Sequence, residues 1–235
     1  MMRVEDKISC SNTDFFLLNK RLSYVLSRDE FQGSTPGYKV SSVYFDTPDN
    51  KFYRQVAEGI SVRQKYRIRI YNNDYSVIKL EVKAKEDGYT NKLSRTITLE
   101  QMQALMNGQT IEDSKPSLNN PITLFNLAIK TQKLAPKIIV MYDRDAFIYR
   151  PGNVRITFDS NISYSCDFES FSKQKKVVET SVEDLNYILE VKYDSFIPQF
   201  ICNLLEAGNV NQISYSKYER SVTQHERGTI CQQKM

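Results

Sequence analysis

The stretch Ser61 to Lys85 reads SVRQKYRIRIYNNDYSVIKLEVKAK. At the two-residue period of a β-strand, its first half sets Arg63, Lys65, Arg67, Arg69 and Tyr71 on one face and Val62, Tyr66, Ile68 and Ile70 on the other. Asn72-Asn73-Asp74 supplies a hairpin turn. The second half then sets Glu81, Lys83 and Lys85 against Ile78, Leu80, Val82 and Ala84. Like charges stacked along and across neighbouring strands destabilise a sheet. A face this rich in cations therefore predicts a polyanion as its partner.

The rest of the composition narrows that partner. With 235 residues, 40% of them apolar and 26% charged, the chain is an ordinary globular sequence with enough apolar residues for a full core. Its net charge is only +4, so the basic character is concentrated in alternating strands. That argues against a nucleic-acid binder, which would carry a basic tail or a basic surface field. Cys10, Cys166, Cys202 and Cys231 have no paired spacing and His225 is the single histidine, which leaves zinc sites, Cys/His nucleophiles and a disulfide framework without their parts. Reduced thiols and a cytoplasmic location follow as expectations. No apolar run approaches the roughly 20 residues of a membrane span, and the charged start MMRVEDKISC does not read as a signal peptide. A soluble protein, at most peripherally associated with a membrane protein, is expected.

Along the chain, alternating strands and helical periods interleave. Arg3 to Ile8 alternates, and Ser11 to Asp14 offers N-cap residues for a helix whose Phe15, Leu18, Leu22, Val25 and Leu26 recur at helical spacing. Further strands are predicted at YKVSSVYFDT, at Asn91 to Leu99, over the long hairpin Lys137 to Arg150 with Val154 to Ser165, and at Tyr187 to Tyr193. Helices are predicted near Asn50 to Gly59, over LEQMQALMNG, from Pro121 to Leu134 and from Ile197 to Ala207. Asp167 to Lys176 reads as a loop and SYSKYER as a short closing segment. The boundaries expected are one domain over residues 1–225 and a flexible tail over 226–235.

Parity places Tyr142 with Arg144, Arg155 with Thr157 and Asp159, and Glu190 with Lys192. Glu5 with Lys7, Glu81 with Lys83 and Glu190 with Lys192 repeat a Glu-x-Lys pattern. Solvated salt-bridge ladders would also produce that pattern, at about 0.2–1 kcal/mol per pair. Cations outnumber acids on this face, however, and a closed antiparallel barrel would turn the excess into a lined channel without open edges. Arg forks and Lys point charges converging from several strands suit oligophosphate. The remaining carboxylates suit Mg²⁺ or Mn²⁺, which take oxygen ligands and share them with substrate phosphates.

The ordered strings Arg3-x-Glu5-x-Lys7, SSVYFDT at Ser41 to Thr47, RQKYRIRIY at Arg63 to Tyr71, LEVKAK at Leu80 to Lys85, YDRDAF at Tyr142 to Phe147, VRITFD at Val154 to Asp159, LEVKY at Leu189 to Tyr193 and SKYERS at Ser216 to Ser221 together resemble the VTC domain. That family is the polyphosphate polymerase branch of the triphosphate tunnel metalloenzymes. The resemblance implies an α+β fold: a closed eight-stranded antiparallel tunnel with helices packed outside. It implies a metal-dependent phosphotransferase that moves the terminal phosphate of ATP onto a growing polyphosphate chain, with Mn²⁺ or Mg²⁺ as cofactor. Carried over by position, Lys7, Arg67, Arg69, Lys83, Arg144, Arg155 and Lys192 are phosphate ligands and Glu190 is the metal ligand, with Glu81 and Glu5 as further carboxylates. Tyr142 is a wall or adenine-side contact, and Ser216 with Lys217 a closing contact. Arg3, Arg63, Lys65, Lys85 and Lys92 extend the grip on the chain, with Lys92 facing inward in preference to Arg95, which has the opposite parity.

Two other functions are consistent with this resemblance. Hydrolytic and cyclising relatives open with Glu-x-Glu-x-Lys, whereas Arg3 stands here at the first Glu position, which trades a metal ligand for a cation. That favours a long polyanion over a short triphosphate, with a triphosphatase as the alternative enzyme. A non-catalytic polyphosphate or nucleotide sensor is the alternative binding module, and the central Glu190 weighs against it.

Overall fold

A computed structural model describes residues 4–29, 37–86, 89–182, 186–206 and 211–232. Among them are eleven strands: β1 (Val4–Cys10), β2 (Ser27–Arg28), β3 (Tyr38–Asp46), β4 (Arg63–Tyr71), β5 (Asp74–Glu86), β6 (Tyr89–Ile97), β7 (Ala135–Tyr149), β8 (Val154–Ser165), β9 (Thr180–Ser181), β10 (Tyr187–Tyr193) and β11 (Asn211–Gln212). Seven helices accompany them: α1 (Asn12–Ser23), α2 (Lys51–Ala57), α3 (Leu99–Met106), α4 (Pro121–Gln132), α5 (Phe168–Ser172), α6 (Gln199–Leu205) and α7 (Lys217–Gln232).

Local chemistry sets the boundaries. Ser11 and Asp14 form a reciprocal capping box at the start of α1, and Thr98 with Gln101 does the same for α3. The β4–β5 hairpin turns through Asn72 and Asn73, both left-handed at φ 51° and 54°, a conformation asparagine tolerates because its short amide bonds locally. Between β7 and β8 the chain turns at Gly152, φ 72°, where a Cβ would stand 2.7 Å from the Phe196 carbonyl oxygen, so only glycine fits. The Asp167 carboxylate accepts from Ser170 N–H at 3.0 Å and starts α5 inside a segment whose polar composition reads as loop. Residues 226–232, expected as tail, continue α7.

The chain divides into two compact units. The first comprises Met1–Lys39, Tyr142–Ile162 and Glu183–Tyr215. It carries the strand order β11-β1-β10-β8-β7 with β2 on β7. Its core joins Leu18, Leu22, Phe147, Ile156, Phe158, Leu189, Val191 and Ile201, the apolar parity faces of β8 and β10 closed over by α1 and α6. The second comprises Val40–Met141, Ser163–Val182 and Ser216–Met235, with the order β7-β3-β4-β5-β6 and β9 on the end of β8. Tyr66, Ile68 and Ile70 of β4 and Ile78, Leu80 and Val82 of β5 turn into its core, against Met102, Leu105, Ile122 and Phe125.

The closed eight-stranded barrel expected from the sequence is not formed. The hydrogen-bonded path has two ends, β11 and β6, and is an open antiparallel sheet of eleven strands. Alternation determines which side of a strand joins the apolar core, and for β4, β5, β8 and β10 the apolar parity set is the one found there. Closure instead requires a matched tilt and stagger between the end strands, which a two-residue period does not encode. Three of the eleven strands, β2, β9 and β11, are two-residue pairings too short to alternate visibly. At the β6 edge, Lys92, Ser94, Arg95 and Thr96 are all exposed, the charged and polar guard that keeps an open edge from pairing with another chain.

Phe125 is fully buried and meets Phe45 and Tyr66 edge-on at 5.3 and 5.2 Å. Phe125→Ala removes both aromatic contacts and leaves a cavity, and is expected to cost about 3–5 kcal/mol in denaturant unfolding. A loss below about 1 kcal/mol would show that this core is not close-packed around Phe125.

Candidate functional site

On the polar face of the second unit, three strands present cations in register. Lys65 of β4 lies opposite Lys83 of β5, and Lys83 lies opposite Lys92 of β6, a row of three ammoniums across the sheet. One row along, Arg67 faces Glu81, and at the strand ends Arg63 faces Lys85. Glu81, 2% exposed, anchors the group: Arg67 Nε donates to its Oε2 at 2.6 Å, and Lys92 Nζ pairs with its Oε1. Burial alone would raise the Glu81 carboxyl, but Arg67, Arg69 and Lys92 outweigh it and hold the group well below the usual carboxylate range. Arg69, buried, donates from Nε to Ser42 Oγ at 2.9 Å, and Lys65 Nζ donates to Ser216 Oγ at 3.0 Å.

Tyr44 of β3 sits beside these cations. It lies opposite Arg67 in register, accepts from Arg67 Nη1 at 3.2 Å, and stacks on Tyr218 of α7 at 4.8 Å. Tyr218 in turn donates to Asp46 Oδ2 at 2.5 Å. Asp46 also takes the backbone N–H groups of Phe52 and Tyr53 at 2.9 and 2.8 Å, which ties α2 and α7 to the end of β3. Burial raises the Tyr44 phenol, but Arg67, Arg69 and Lys65 together bring it down to about 7. A phenol so placed titrates near neutrality.

In the first unit, β1, β10 and β8 form a second cluster. Lys7 lies opposite Glu190, which lies opposite Thr157, and Glu5 lies opposite Lys192, which lies opposite Arg155. Lys192 Nζ donates to Glu190 Oε2 at 2.7 Å, while Lys7 Nζ stands 3.9 Å from Glu190, 3.4 Å from Glu5 and donates to the Tyr215 carbonyl at 2.7 Å. Arg144 forks onto Asp159 through Nε and Nη2 at 2.6 and 2.7 Å, and its Nη2 is 3.8 Å from Glu190. Burial would lower this guanidinium, but Asp159, Tyr142 and Glu190 raise it well above its ordinary value. The Arg144 guanidinium also lies 5.1 Å from the centre of the Tyr142 ring. Arg155 reaches Tyr38 Oη at 2.8 Å and Asp29 Oδ2 at 2.5 Å.

The expected residues thus gather by unit: Glu5, Lys7, Tyr142, Arg144, Arg155, Glu190 and Lys192 in the first, and Arg63, Lys65, Arg67, Arg69, Glu81, Lys83, Lys85, Lys92, Ser216 and Lys217 in the second. Arg3 lies outside the described residues. Lys92 meets Glu81, whereas Arg95 lines a separate shallow pocket with Gln101, Glu112 and Asp113. Ser216, besides receiving Lys65, accepts from Glu219 N–H at 3.3 Å and so caps α7. His225 is half-buried with Nε2 3.6 Å from Cys166 Sγ; partial burial raises that thiol, so the pair is not a poised thiolate. Tyr44, Asp159, Asp29 and Tyr38 carry contacts that sequence reasoning does not assign to a site, although the parity of β8 places Asp159 on the right face.

Among the described residues, no three His, Cys, Asp or Glu side chains converge as a metal cage. Glu5 and Glu190 on adjacent strands share Lys192, at 3.9 and 2.7 Å, and fit a hard divalent ion that takes one or two carboxylates and completes its shell with phosphate oxygens. Glu81 is engaged by Arg67 and Lys92.

A family profile described as the VTC domain matches residues 2–225. The PH1819 protein of Pyrococcus horikoshii is 14% identical, with a TM-score of 0.46 over 91% of this chain and 95% of its own. A candidate adenylate cyclase from Bacillus halodurans is also 14% identical, with a TM-score of 0.47 over 97% of this chain and 91% of its own. Comparison with curated proteins finds no match.

Tyr44 yields a test. Its folded pKa of about 7 lies below the ordinary phenol value of about 10, so its contribution to stability is missing below the folded value and grows as pH rises between the two. Tyrosinate absorbance should show one tyrosine titrating near neutrality, absent in Tyr44→Phe, and stability should rise between about pH 7 and 10 in the wild type only. A protein whose tyrosines all titrate above about pH 9 would contradict the cation cluster around Tyr44.

Proposed function

This chain belongs to the VTC domain family, and on that premise we propose that it is a polyphosphate polymerase, transferring the terminal phosphate of ATP onto a polyphosphate chain gripped by its cationic strand faces. The row Lys65, Lys83 and Lys92 is the observation that supports this most directly, because a solvated ladder would alternate its signs across strands. Arg67, Arg69, Arg144 and Arg155 are each held by a carboxylate, hydroxyl or phenol from another strand, which presets their guanidiniums for phosphate oxygens. Lys83 in the second unit, and Lys7 and Lys192 in the first, add point charges to their own clusters. Phosphoryl transfer needs positioning and charge neutralisation more than a protein base, so the scarcity of histidine is no obstacle.

A divalent ion held by Glu190 and Glu5 would neutralise charge on the transferring phosphate. Around it, Lys192 and Lys7 would exchange part of their hold on Glu190 for phosphate oxygens, and Asp159 would keep Arg144 oriented throughout. Tyr142 supplies an aromatic wall beneath Arg144. Ser216, at the head of α7, holds Lys65 in its place in the row, and Lys217 begins the same helix.

Incubation with ATP and Mn²⁺, followed by separation of the products, tests the reading. ADP and long-chain polyphosphate with little orthophosphate are expected. Orthophosphate released from tripolyphosphate as the main product would move the assignment to a triphosphatase, and binding without turnover would move it to a sensor. Glu190→Gln keeps the size but loses the charge that holds a divalent ion. It should abolish metal-dependent transfer while leaving tripolyphosphate affinity largely intact, and normal turnover in this variant would reduce Glu190 to an ion-pair partner of Lys192.

A further inference from the structure

Thr157 has no role in the contacts described so far, and its hydroxyl is anomalous. The residue is 1% exposed, and Oγ1 is buried without a hydrogen-bond partner. Buried hydroxyls in folded proteins are nearly always bonded, and one left unbonded is a cost to the free fold that valine, of similar shape, would not carry. Its surroundings make the choice of threonine stranger still. On β8 it shares a face with Arg155 and Asp159, and across the sheet it lies opposite Glu190. Each of those neighbours is engaged: Arg155 with Tyr38 and Asp29, Asp159 with Arg144, Glu190 with Lys192. The opposite parity face, Ile156 and Phe158, is packed in the core of the first unit. Thr157 O–H is therefore an unused donor next to Arg155 on its face of β8, with Lys192 opposite Arg155 on β10, on the side of β8 where anions are expected.

We propose that Thr157 is a ligand-binding residue whose hydroxyl donates to a phosphate oxygen held between Arg155 and Lys192. This rests on the reading of the face as an oligophosphate site. A hydroxyl suits that position because it can donate to the anion without adding a fourth cation to a group already crowded with them. Its hydrogen bond to a charged oxygen is the stronger, charge-assisted kind. The hydroxyl is unbonded in the free fold and bonded only with ligand, so its removal should affect the two states in opposite directions.

The test compares wild type, Thr157→Val and Thr157→Ser by two measurements: thermal unfolding without ligand, and calorimetric titration with tripolyphosphate in the absence of metal. Thr157→Val should unfold at the same temperature as wild type or higher, and should bind tripolyphosphate about tenfold more weakly or worse. Thr157→Ser should restore most of the affinity. A lower unfolding temperature in Thr157→Val would show that the hydroxyl serves the fold, and unchanged affinity would show that it does not touch the anion; either result overturns the proposal while leaving the site's overall reading intact. Failure of the wild type to bind tripolyphosphate would overturn both.

Discussion

Glu81 carries more positive charge than one carboxylate can neutralise. It is 2% exposed, binds Arg67 at 2.6 Å and pairs with Lys92, while Arg69 adds its field from the next position of β4. In the first unit Asp159, Glu190, Glu5 and Asp29 hold Arg144, Lys192, Lys7 and Arg155, one carboxylate to each cation. Buried charges survive only when paired, and losing one member of such a pair strands the other at a cost of about 3–5 kcal/mol. These carboxylates therefore fix the cations in place, and around Glu81 they do so without cancelling them. The excess that remains is preorganised charge, held before any ligand arrives, which is the arrangement that makes electrostatic binding and transition-state stabilisation effective.

The same excess reaches into the packing. Tyr44 lies inside the cation field and stacks on Tyr218, which bonds Asp46, which receives the N–H groups of Phe52 and Tyr53 in the first turn of α2. A change of charge at Arg67 is thereby connected through two phenols and one carboxylate to both α2 and α7. The Asp46 carboxylate serves as a helix-end acceptor and as the acceptor for Tyr218, which makes the SSVYFDT string structural at its end and electrostatic at its tyrosine.

Much of this was legible in the sequence because a two-residue period is a strong constraint. Parity alone separates Arg67 and Arg69 from Ile68 and Ile70, Lys83 from Val82, and Arg155, Thr157 and Asp159 from Ile156 and Phe158, and in each case the apolar set is the one that joins a hydrophobic core. Lys92 in place of Arg95 follows from the same rule. What parity does not carry is partnership. That Asp159 forks onto Arg144, that Ser216 holds Lys65 and that Tyr44 faces Arg67 depend on register between strands and helices far apart in sequence. Closure failed for the same reason, since the pairing of end strands is set by stagger and tilt. The helix from Lys217 reads as a short segment because its exposed stretch is polar, although Tyr218 and Val222 are buried along one side and Ser216 caps it.

The central claim is that these strand faces hold oligophosphate through cations fixed in place by their carboxylate partners. Its most direct measurement is the calorimetric affinity for tripolyphosphate over a series of salt concentrations, for wild type, Arg67→Gln and Arg155→Gln. Saturable binding at low salt that weakens steadily as salt rises, and that is weakened by either substitution, is the predicted result. Absence of saturable binding at low salt, or an affinity indifferent both to salt and to the loss of either guanidinium, would contradict the account.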